Sequence, residues 1–177
     1  GAAIDAHRTL CPNIPVGKLN HLFLGKDIGD IPSVCAGIER WRPLVTVEHL
    51  ENPCATAAQM LANGKVIGWV QGRSEFGPRS LGNRSILADP RPAENMTRIN
   101  KMIKKREGYR PFAPSVLAQH VEEYFDVPPG ATELPYMICV VPVRSEKRAL
   151  LGAVTHVDGT ARVQTVTYLQ NKRYFKL

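Results

Sequence analysis

The sequence has 177 residues and a formal net charge of +7, from 23 lysines and arginines against 16 acidic residues. Its hydrophobic content of 44% is enough for the core of one globular domain. No apolar run approaches the roughly 20 residues that a membrane-spanning helix needs, and no secretory leader is recognisable. The composition therefore predicts a globular protein without a membrane span, and its positive charge leaves polyanions open as ligands.

The first third of the chain contains one clear helix–strand unit. Residues 1–50 are rich in turn formers and predict irregular structure after a short helix end. Asn52 before Pro53 is typical of a helix start, and the helix is predicted to stop at residues 63–64 (Asn-Gly). Residues 65–71 (KVIGWVQ) then predict a buried strand. A helix that leads through glycine into a strand indicates an α/β layer.

The centre of the chain predicts a short strand over residues 85–88 and a turn over residues 89–92. A helix should follow, because Met96, Ile99 and Ile103 have the spacing of one helix face.

The remaining elements are mostly strands. Residues 112–117 predict a strand, residues 120–124 a short helix, and residues 128–130 (PPG) a turn. Residues 136–143 (YMICVVPV) and 162–168 (RVQTVTY) are the strongest strand candidates, since they are rich in β-branched and aromatic residues. The sequence thus predicts a mixed α/β domain whose basic residues lie on loops at strand ends, where open sheets generally bind ligands.

Most of the positive charge lies in one stretch, which runs from Arg73 to Arg110. It contains ten basic and four acidic residues, a difference of six. Guanidinium and ammonium groups that converge from loops suit phosphate oxygens. We therefore expect a nucleotide, a phosphorylated small molecule or a nucleic acid backbone as ligand. The basic residues are Arg73, Arg79, Arg84, Arg91, Arg98, Lys101, Lys104, Lys105, Arg106 and Arg110.

Residues 72–85 (GRSEFGPRSLGNRS) form a glycine-rich loop that is not a Walker A loop. Asn83 stands where that motif needs lysine, and Pro78 lacks an amide donor. Two interpretations stay open. The glycines could let the backbone approach a phosphate while Arg73, Arg79 and Arg84 direct charge at it, or the loop merely connects two strands.

Residues 104–114 (KKREGYRPFAP) form a second basic segment. Lys104 and Arg106, at the start of a predicted strand, would project to the same side. Arg110 follows a turn containing Gly108 that can bring it back toward them. Such runs are usually solvated surface, but the flanking glycine and prolines favour fixed positions.

Residues 155–165 (THVDGTARVQT) form a third candidate segment. Its Asp-Gly pair predicts a turn between two strands, with Arg162 opening the second strand. A plain hairpin is one interpretation. Binding of a polyanion by Arg162 with the hydroxyls of Thr155 and Thr160 is another, and acid–base chemistry by His156 with the carboxylate of the turn is a third.

The cysteines and histidines do not indicate a metal site. The four cysteines have irregular spacing, which predicts free thiols in a reducing cytoplasm. The five histidines show no ligand spacing, so no metal site is predicted.

Three segments taken together resemble the ATP-dependent O-carbamoyltransferases. They are residues 68–91 (GWVQGRSEFGPRSLGNRSILADPR), 99–116 (INKMIKKREGYRPFAPSV) and 153–166 (AVTHVDGTARVQTV). This family modifies antibiotics, ansamycins, cephems and nodulation factors. The similarity to its C-terminal half is close over residues 60–170 and looser over the first 50.

The resemblance implies a two-domain parent protein. Residues 1–50 would be the end of an N-terminal actin-like domain and a linker. Residues 51–177 would form a YrdC-like domain, an α/β fold with a mixed, twisted sheet, helices packed on it and a basic concave face. Members of the family continue beyond the position of Leu177, and this sequence lacks an initiator Met, so we expect a piece of a longer protein whose partner is its own N-terminal domain.

The resemblance also implies a reaction and a set of site residues. The domain would bind carbamoyl phosphate and ATP, with Mg²⁺, and form carbamoyl adenylate. The complete enzyme would pass the carbamoyl group to a hydroxyl of a natural product, and its own metal would lie in the N-terminal domain. The matched positions assign Lys104 and Arg110 as catalytic residues that hold carbamoyl phosphate, and Arg79, Arg106 and Arg162 as further substrate-binding residues.

Two other functions stay open. A YrdC-like basic face could bind RNA without catalysis, but Phe76 and Tyr109 are the only aromatic residues in the basic stretch, which disfavours base stacking. The chain could also serve only to dock its N-terminal domain. The sequence does not identify the acceptor alcohol.

Overall fold

The structure is a computed structural model that describes residues 2–17 and 19–177. Its first part contains two helices, α1 (Ala2–Leu10) and α2 (Ile31–Glu39), neither of which buries a residue. The prediction of irregular structure over residues 1–50 is therefore wrong at α2. That helix begins because Asp30 Oδ1 accepts a hydrogen bond from the Ser33 amide at 3.0 Å, while Pro32 occupies the first turn.

The predicted helix–strand unit is confirmed. Helix α3 (Pro53–Ala62) starts at Asn52, whose Oδ1 accepts from the Ala55 amide at 3.1 Å. Strand β1 (Ile67–Val70) pairs antiparallel with β2 (Arg84–Leu87). Only Trp69 of β1 is buried, so β1 is a one-sided strand and the prediction of a buried strand is wrong. Trp69 packs against α3 in a small core.

The predicted central helix is also confirmed, but it changes its winding. Helix α4 (Glu94–Ile99) continues as one π-helical turn over Asn100–Lys104. The wider turn alters the helical phase, so Ile99 is buried while Ile103 is exposed. Lys105 then adopts the left-handed conformation with φ of 50°. Lys104 therefore ends a helix, and the prediction that it opens a strand with Arg106 is wrong.

The second half of the chain forms short elements. They are β3 (Ser115–Leu117), α5 (Val121–Tyr124), β4 (Val140–Pro142), β5 (Thr160–Arg162), β6 (Gln164–Val166) and α6 (Lys172–Lys176). The predicted strands are present but shorter. Strand β4 begins late because Met137 has a positive φ of 51°, which is incompatible with an extended strand.

The pairing of these strands differs from the predicted hairpin. Strand β5 pairs antiparallel with β4, far away in sequence, and not with the residues just before the turn at 158–159. Arg162 consequently ends β5, where it was predicted to open a strand. Strand β6 follows after Val163 and pairs parallel with β3.

The main hydrophobic core lies between α5, the β4–β5 pair and the segment that leads to β5. It consists of Val121, Phe125, Val141, Val143, Leu151, Val154, Ala161 and Val163. The mixed α/β class is confirmed. Within the described residues the strands form three two-stranded sheets, and the YrdC-like detail stays a prediction. No helix among these residues is long and apolar enough to cross a membrane.

Gly82 occupies a position where packing leaves no room for a side chain. Its φ is +103°, and a Cβ there would lie 2.4 Å from the Tyr174 ring. We expect Gly82→Ala to lower the free energy of unfolding by about 2–4 kcal/mol, through backbone strain and steric overlap. Gly68→Ala is the matched control, since a Cβ at Gly68 meets nothing within 4 Å. Urea denaturation measures both, and equal losses would contradict the expectation.

Candidate functional site

Two arginines from distant parts of the sequence, Arg79 and Arg162, lie within electrostatic range of each other in the fold. Arg162 projects from the end of β5, and Arg79 lies on the exposed loop of residues 72–85. Burial lowers the pKa of the Arg162 guanidinium, and the charge of Arg79 lowers it further. Neither arginine takes part in an ion pair within the part of the chain that the structure describes. The two cations therefore raise the local positive potential.

The loop of residues 72–85 is fixed around one carboxylate. Glu75 Oε1 accepts hydrogen bonds from the amides of Leu81, Asn83 and Arg84 at 2.7, 2.9 and 3.1 Å. Burial raises the pKa of Glu75, but these backbone donors outweigh burial, so its pKa lies below the usual value. The ionised carboxylate thus holds the part of the loop that follows Arg79.

The other arginines of this loop support its backbone. Arg84 donates from Nη1 to the carbonyl oxygens of Gln71 and Asn83 at 2.7 and 2.8 Å. Arg73 donates from Nη2 to the Leu24 carbonyl oxygen at 3.1 Å. Arg73 and Arg84 thus support the loop backbone, whereas Arg79 takes part in no ion pair among the described residues. Contact of Arg73 or Arg84 with a ligand stays a prediction.

Three amide side chains attach the loop to the rest of the domain. Gln164 Nε2 on β6 donates to the Leu81 carbonyl oxygen at 2.9 Å. Gln71 Nε2 donates to the Gly82 carbonyl oxygen at 2.7 Å. Asn171 Nδ2, just before α6, donates to Asn83 Oδ1 at 2.9 Å. The loop is thus preorganised, which lowers the entropy cost of presenting Arg79 to an anion.

The segment of residues 104–110 is organised by Asn100, whose side chain is fully buried. Asn100 Nδ2 donates to the carbonyl oxygens of Gly108 and Arg110, at 3.2 and 2.8 Å. Its Oδ1 accepts from Arg106 Nε at 2.6 Å. The Asn100 amide therefore binds both the beginning of this turn, at Arg106, and its end, at Gly108 and Arg110.

The predicted cations of this turn have different environments. Arg106 lies with its guanidinium carbon 5.0 Å from the centre of the Phe112 ring, so its position is fixed. Arg110 Nη1 is 3.8 Å from Glu107 Oε2, and both side chains are about half exposed. Lys104 is exposed. The backbone turn thus brings Arg106 and Arg110 to the same buried amide.

The five predicted site residues fall into two groups. Arg79 lies near Arg162, while Arg106 and Arg110 lie around Asn100, at the end of the helix that carries Lys104. Among the described residues no ion pair or hydrogen bond joins the groups. Convergence of Arg79, Lys104, Arg110 and Arg162 on one ligand stays a prediction.

A cleft of about 820 Å³ is a separate feature. It lies between β2, α4, β3 and residues 174–177, and most of its exposed lining is apolar. None of the five predicted site residues lines it. Its basic lining residues include Arg91, which is paired with Asp89, and Lys176.

The threonine hydroxyls of residues 155–165 form hydrogen bonds within their own part of the chain. Thr155 Oγ1 donates to the Leu151 carbonyl oxygen at 2.8 Å, and Thr160 Oγ1 donates to Asp158 Oδ1 at 2.7 Å. Their predicted contribution to a polyanion site is not supported, because each hydroxyl proton is already used. Arg162 is the residue of this segment that stays available to an anion.

Glu75 and Asn100 hold the backbone of the candidate site, and this role was predicted for neither residue. The sequence around each of them nevertheless offers an indication of it. Glu75 is an acidic residue between glycines in a strongly basic stretch, and Asn100 lies four residues after Met96, on the apolar side of a helix. A polar residue at either kind of position is a candidate for organising nearby backbone.

Asn100 offers a direct test of this organisation. We expect Asn100→Ala to lower the free energy of unfolding by about 2–3 kcal/mol, because two carbonyls and one guanidinium lose a buried partner. Asn13→Ala is the control, since Asn13 is exposed. Thermal denaturation of both variants measures the effect. An Asn100→Ala variant as stable as the control would contradict the assigned role.

Comparison with known proteins identifies the family. The family described as Carbamoyltransferase C-terminus matches residues 58–177. Nodulation protein NolNO of Sinorhizobium fredii is 52% identical over 177 residues, which cover the whole chain and 26% of that protein. Nodulation protein NolO of Bradyrhizobium diazoefficiens is 50% identical over 175 residues, which cover 99% of the chain and 32% of that protein.

A relative with a named activity is similar over the same region. The 3'-hydroxymethylcephem-O-carbamoyltransferase of Amycolatopsis lactamdurans is 41% identical over 181 residues, which cover the whole chain and 31% of that enzyme. The chain thus spans about a quarter to a third of the length of these relatives. On this family match and these identities, the chain belongs to the carbamoyltransferase C-terminus family.

Proposed function

We propose that this chain binds carbamoyl phosphate and ATP and forms carbamoyl adenylate. The observation that carries the proposal is the pair of Arg79 and Arg162, two cations within electrostatic range of each other that form no ion pair with a carboxylate of residues 2–17 or 19–177. Like charges held together repel each other, so the pair is most stable with an anion between them. Phosphate is the anion that suits two guanidinium groups.

The reaction requires two polyanions to approach each other. Water converts carbamoyl phosphate to carbamate and phosphate, and a carbamate oxygen then attacks the α-phosphorus of ATP. The bond from this phosphorus to the bridging oxygen breaks, and pyrophosphate leaves with the electron pair. Cations in fixed positions stabilise the negative charge that develops on the transferred group.

The cations take different roles in this proposal. Arg79 and Arg162 clamp phosphates of one or both substrates, while Lys104 and Arg110 hold carbamoyl phosphate. Arg106 has its Nε bound to Asn100, so it contributes through its Nη atoms.

Mg²⁺ enters the proposal as the counter-ion of ATP. Among the described residues no three His, Cys, Asp or Glu side chains come together as a metal-binding cluster. The chain therefore fits Mg²⁺ bound by the nucleotide phosphates, which typically supply much of its coordination.

The transfer step belongs to a longer protein. We propose that residues 1–50 end an N-terminal actin-like domain and its linker, that residues 51–177 form the adenylate-forming domain, and that the two act together in the cytoplasm. The relatives' names suggest a natural-product acceptor, such as a cephem antibiotic or a nodulation signal. The N-terminal domain would then be the partner of this chain.

The test is release of pyrophosphate that depends on both ATP and carbamoyl phosphate. We expect it from a protein that carries this chain at the full length of its relatives, and we expect Lys104→Ala and Arg110→Ala to reduce it at least about 10-fold. Lys101→Ala is the control, because Lys101 is exposed on the same helix. Pyrophosphate release without carbamoyl phosphate, or unchanged turnover in both variants, would refute the assignment.

A further inference from the structure

The turn of residues 156–160 fixes the tautomer of a histidine. Thr160 Oγ1 lies 2.7 Å from Asp158 Oδ1 and 3.1 Å from His156 Nδ1. The hydroxyl has one proton, and it donates this proton to the Asp158 carboxylate, so it must accept from His156. Nδ1 therefore carries the hydrogen, and Nε2 of the neutral ring is a hydrogen-bond acceptor.

This acceptor is shielded and has no partner. His156 Nε2 is buried without a hydrogen bond among the described residues, and the same is true of Arg162 Nε. Buried polar atoms without partners are rare in folded proteins and call for an explanation. Here one is an acceptor and the other is a donor.

Arg162 and the Thr160 hydroxyl that His156 contacts lie on the same side of β5. Ala161 is fully buried beneath the strand, so Thr160 and Arg162 project from the opposite face. Their α-carbons are about 7 Å apart at ordinary strand spacing. His156 contacts Thr160 through both its ring and its backbone amide. The ring thus borders the face from which Arg162 projects, near Arg79.

We propose that His156 Nε2 accepts a hydrogen bond from the amine of the carbamoyl group while Arg162 binds the phosphate of the same molecule. The inference rests on the proposed function. A carbamoyl phosphate offers both an N–H donor and anionic oxygens, so it satisfies both unpaired atoms at once. His156 would then be the residue that distinguishes carbamoyl phosphate from acyl phosphates that lack the amine.

Acetyl phosphate is the matched probe, because it replaces the amine with a methyl group. We expect calorimetry on the 177-residue chain to give an affinity for carbamoyl phosphate at least about 10-fold higher than for acetyl phosphate, the effect of one buried hydrogen bond. Arg162→Ala should weaken both ligands, since both carry the phosphate.

Two substitutions separate recognition from a structural role of the ring. His156→Asn places an amide near Nδ1, which keeps the contact to Thr160 but removes the acceptor at Nε2, so it should abolish the preference. His156→Gln places an acceptor near Nε2 and should retain part of it. His49→Phe, at an exposed histidine outside the site, is the control and should keep the full preference.

The outcomes distinguish the inference from the proposed function. Equal affinity of the unmodified chain for both ligands, with both weakened by Arg162→Ala, would overturn the role of His156 and leave the phosphate site. A full preference in His156→Asn would also overturn it. Binding of neither ligand would overturn the inference and the proposed function together.

Discussion

Arg162→Ala is expected to lower carbamoyl-phosphate-dependent pyrophosphate release by at least about 100-fold, the loss typical of one preorganised electrostatic contact to the reacting group. Arg162 is partly buried, lies within the electrostatic influence of Arg79 and pairs with no carboxylate in the part of the chain that the structure describes. Water therefore screens its charge less than that of a fully exposed arginine. Steady-state kinetics with each substrate varied in turn measure the effect on kcat and KM.

Controls and a double variant sharpen this prediction. Arg42→Ala should leave pyrophosphate release unchanged, because Arg42 is exposed and pairs with Glu39 at the end of α2. Arg162→Lys should recover little activity, since an ammonium cannot reproduce the two-pronged contact of a guanidinium. If Arg79 and Arg162 bind the same phosphate, the losses in the double variant will not add. Activity of Arg162→Ala equal to that of Arg42→Ala would refute the role.

Glu75→Ala is expected to lower the free energy of unfolding by about 2–4 kcal/mol, because three amides lose a charged acceptor inside a fixed loop. The amides of Leu81, Asn83 and Arg84 all donate to one carboxylate oxygen. Loss of the Glu75 carboxylate should also weaken carbamoyl phosphate binding, because the loop no longer holds Arg79 in place. Chemical denaturation and calorimetry measure the two effects.

The same carboxylate gives a pH dependence with a defined sign. The pKa of Glu75 is lower in the folded protein than its ordinary value of 4.5. Its contribution to stability is therefore complete above pH 4.5 and is lost as the pH falls through the lowered folded value. Glu75→Gln should remove this part of the acid sensitivity, whereas Glu48→Gln, at an exposed residue, should not. Identical acid denaturation of both variants would contradict the assigned network.

Helices that are specified by capping residues and by the spacing of apolar residues could be predicted from the sequence. Helix α3 followed from Asn52 and Pro53, and the central helix followed from the spacing of Met96 and Ile99. Helix α2 was missed because its capping residue, Asp30, lies within a segment dominated by turn formers. The class of fold could be inferred because it depends only on the alternation of such elements.

The pairing of strands and the contacts of the site are not local. Nothing in residues 155–165 indicates that β5 pairs with β4, some twenty residues earlier, and not with its neighbour across the turn. The proximity of Arg79 and Arg162 likewise depends on how two remote segments pack. Only the resemblance to a family assigned these two arginines to one substrate site.

Binding of a substrate phosphate by Arg79 and Arg162 together is tested most directly by a crystal structure of the chain with carbamoyl phosphate and an ATP analogue. We expect phosphate oxygens of one of these ligands within about 3 Å of both guanidinium groups. Phosphates of both ligands bound only in the apolar cleft, or only by residues 104–110, would contradict this role.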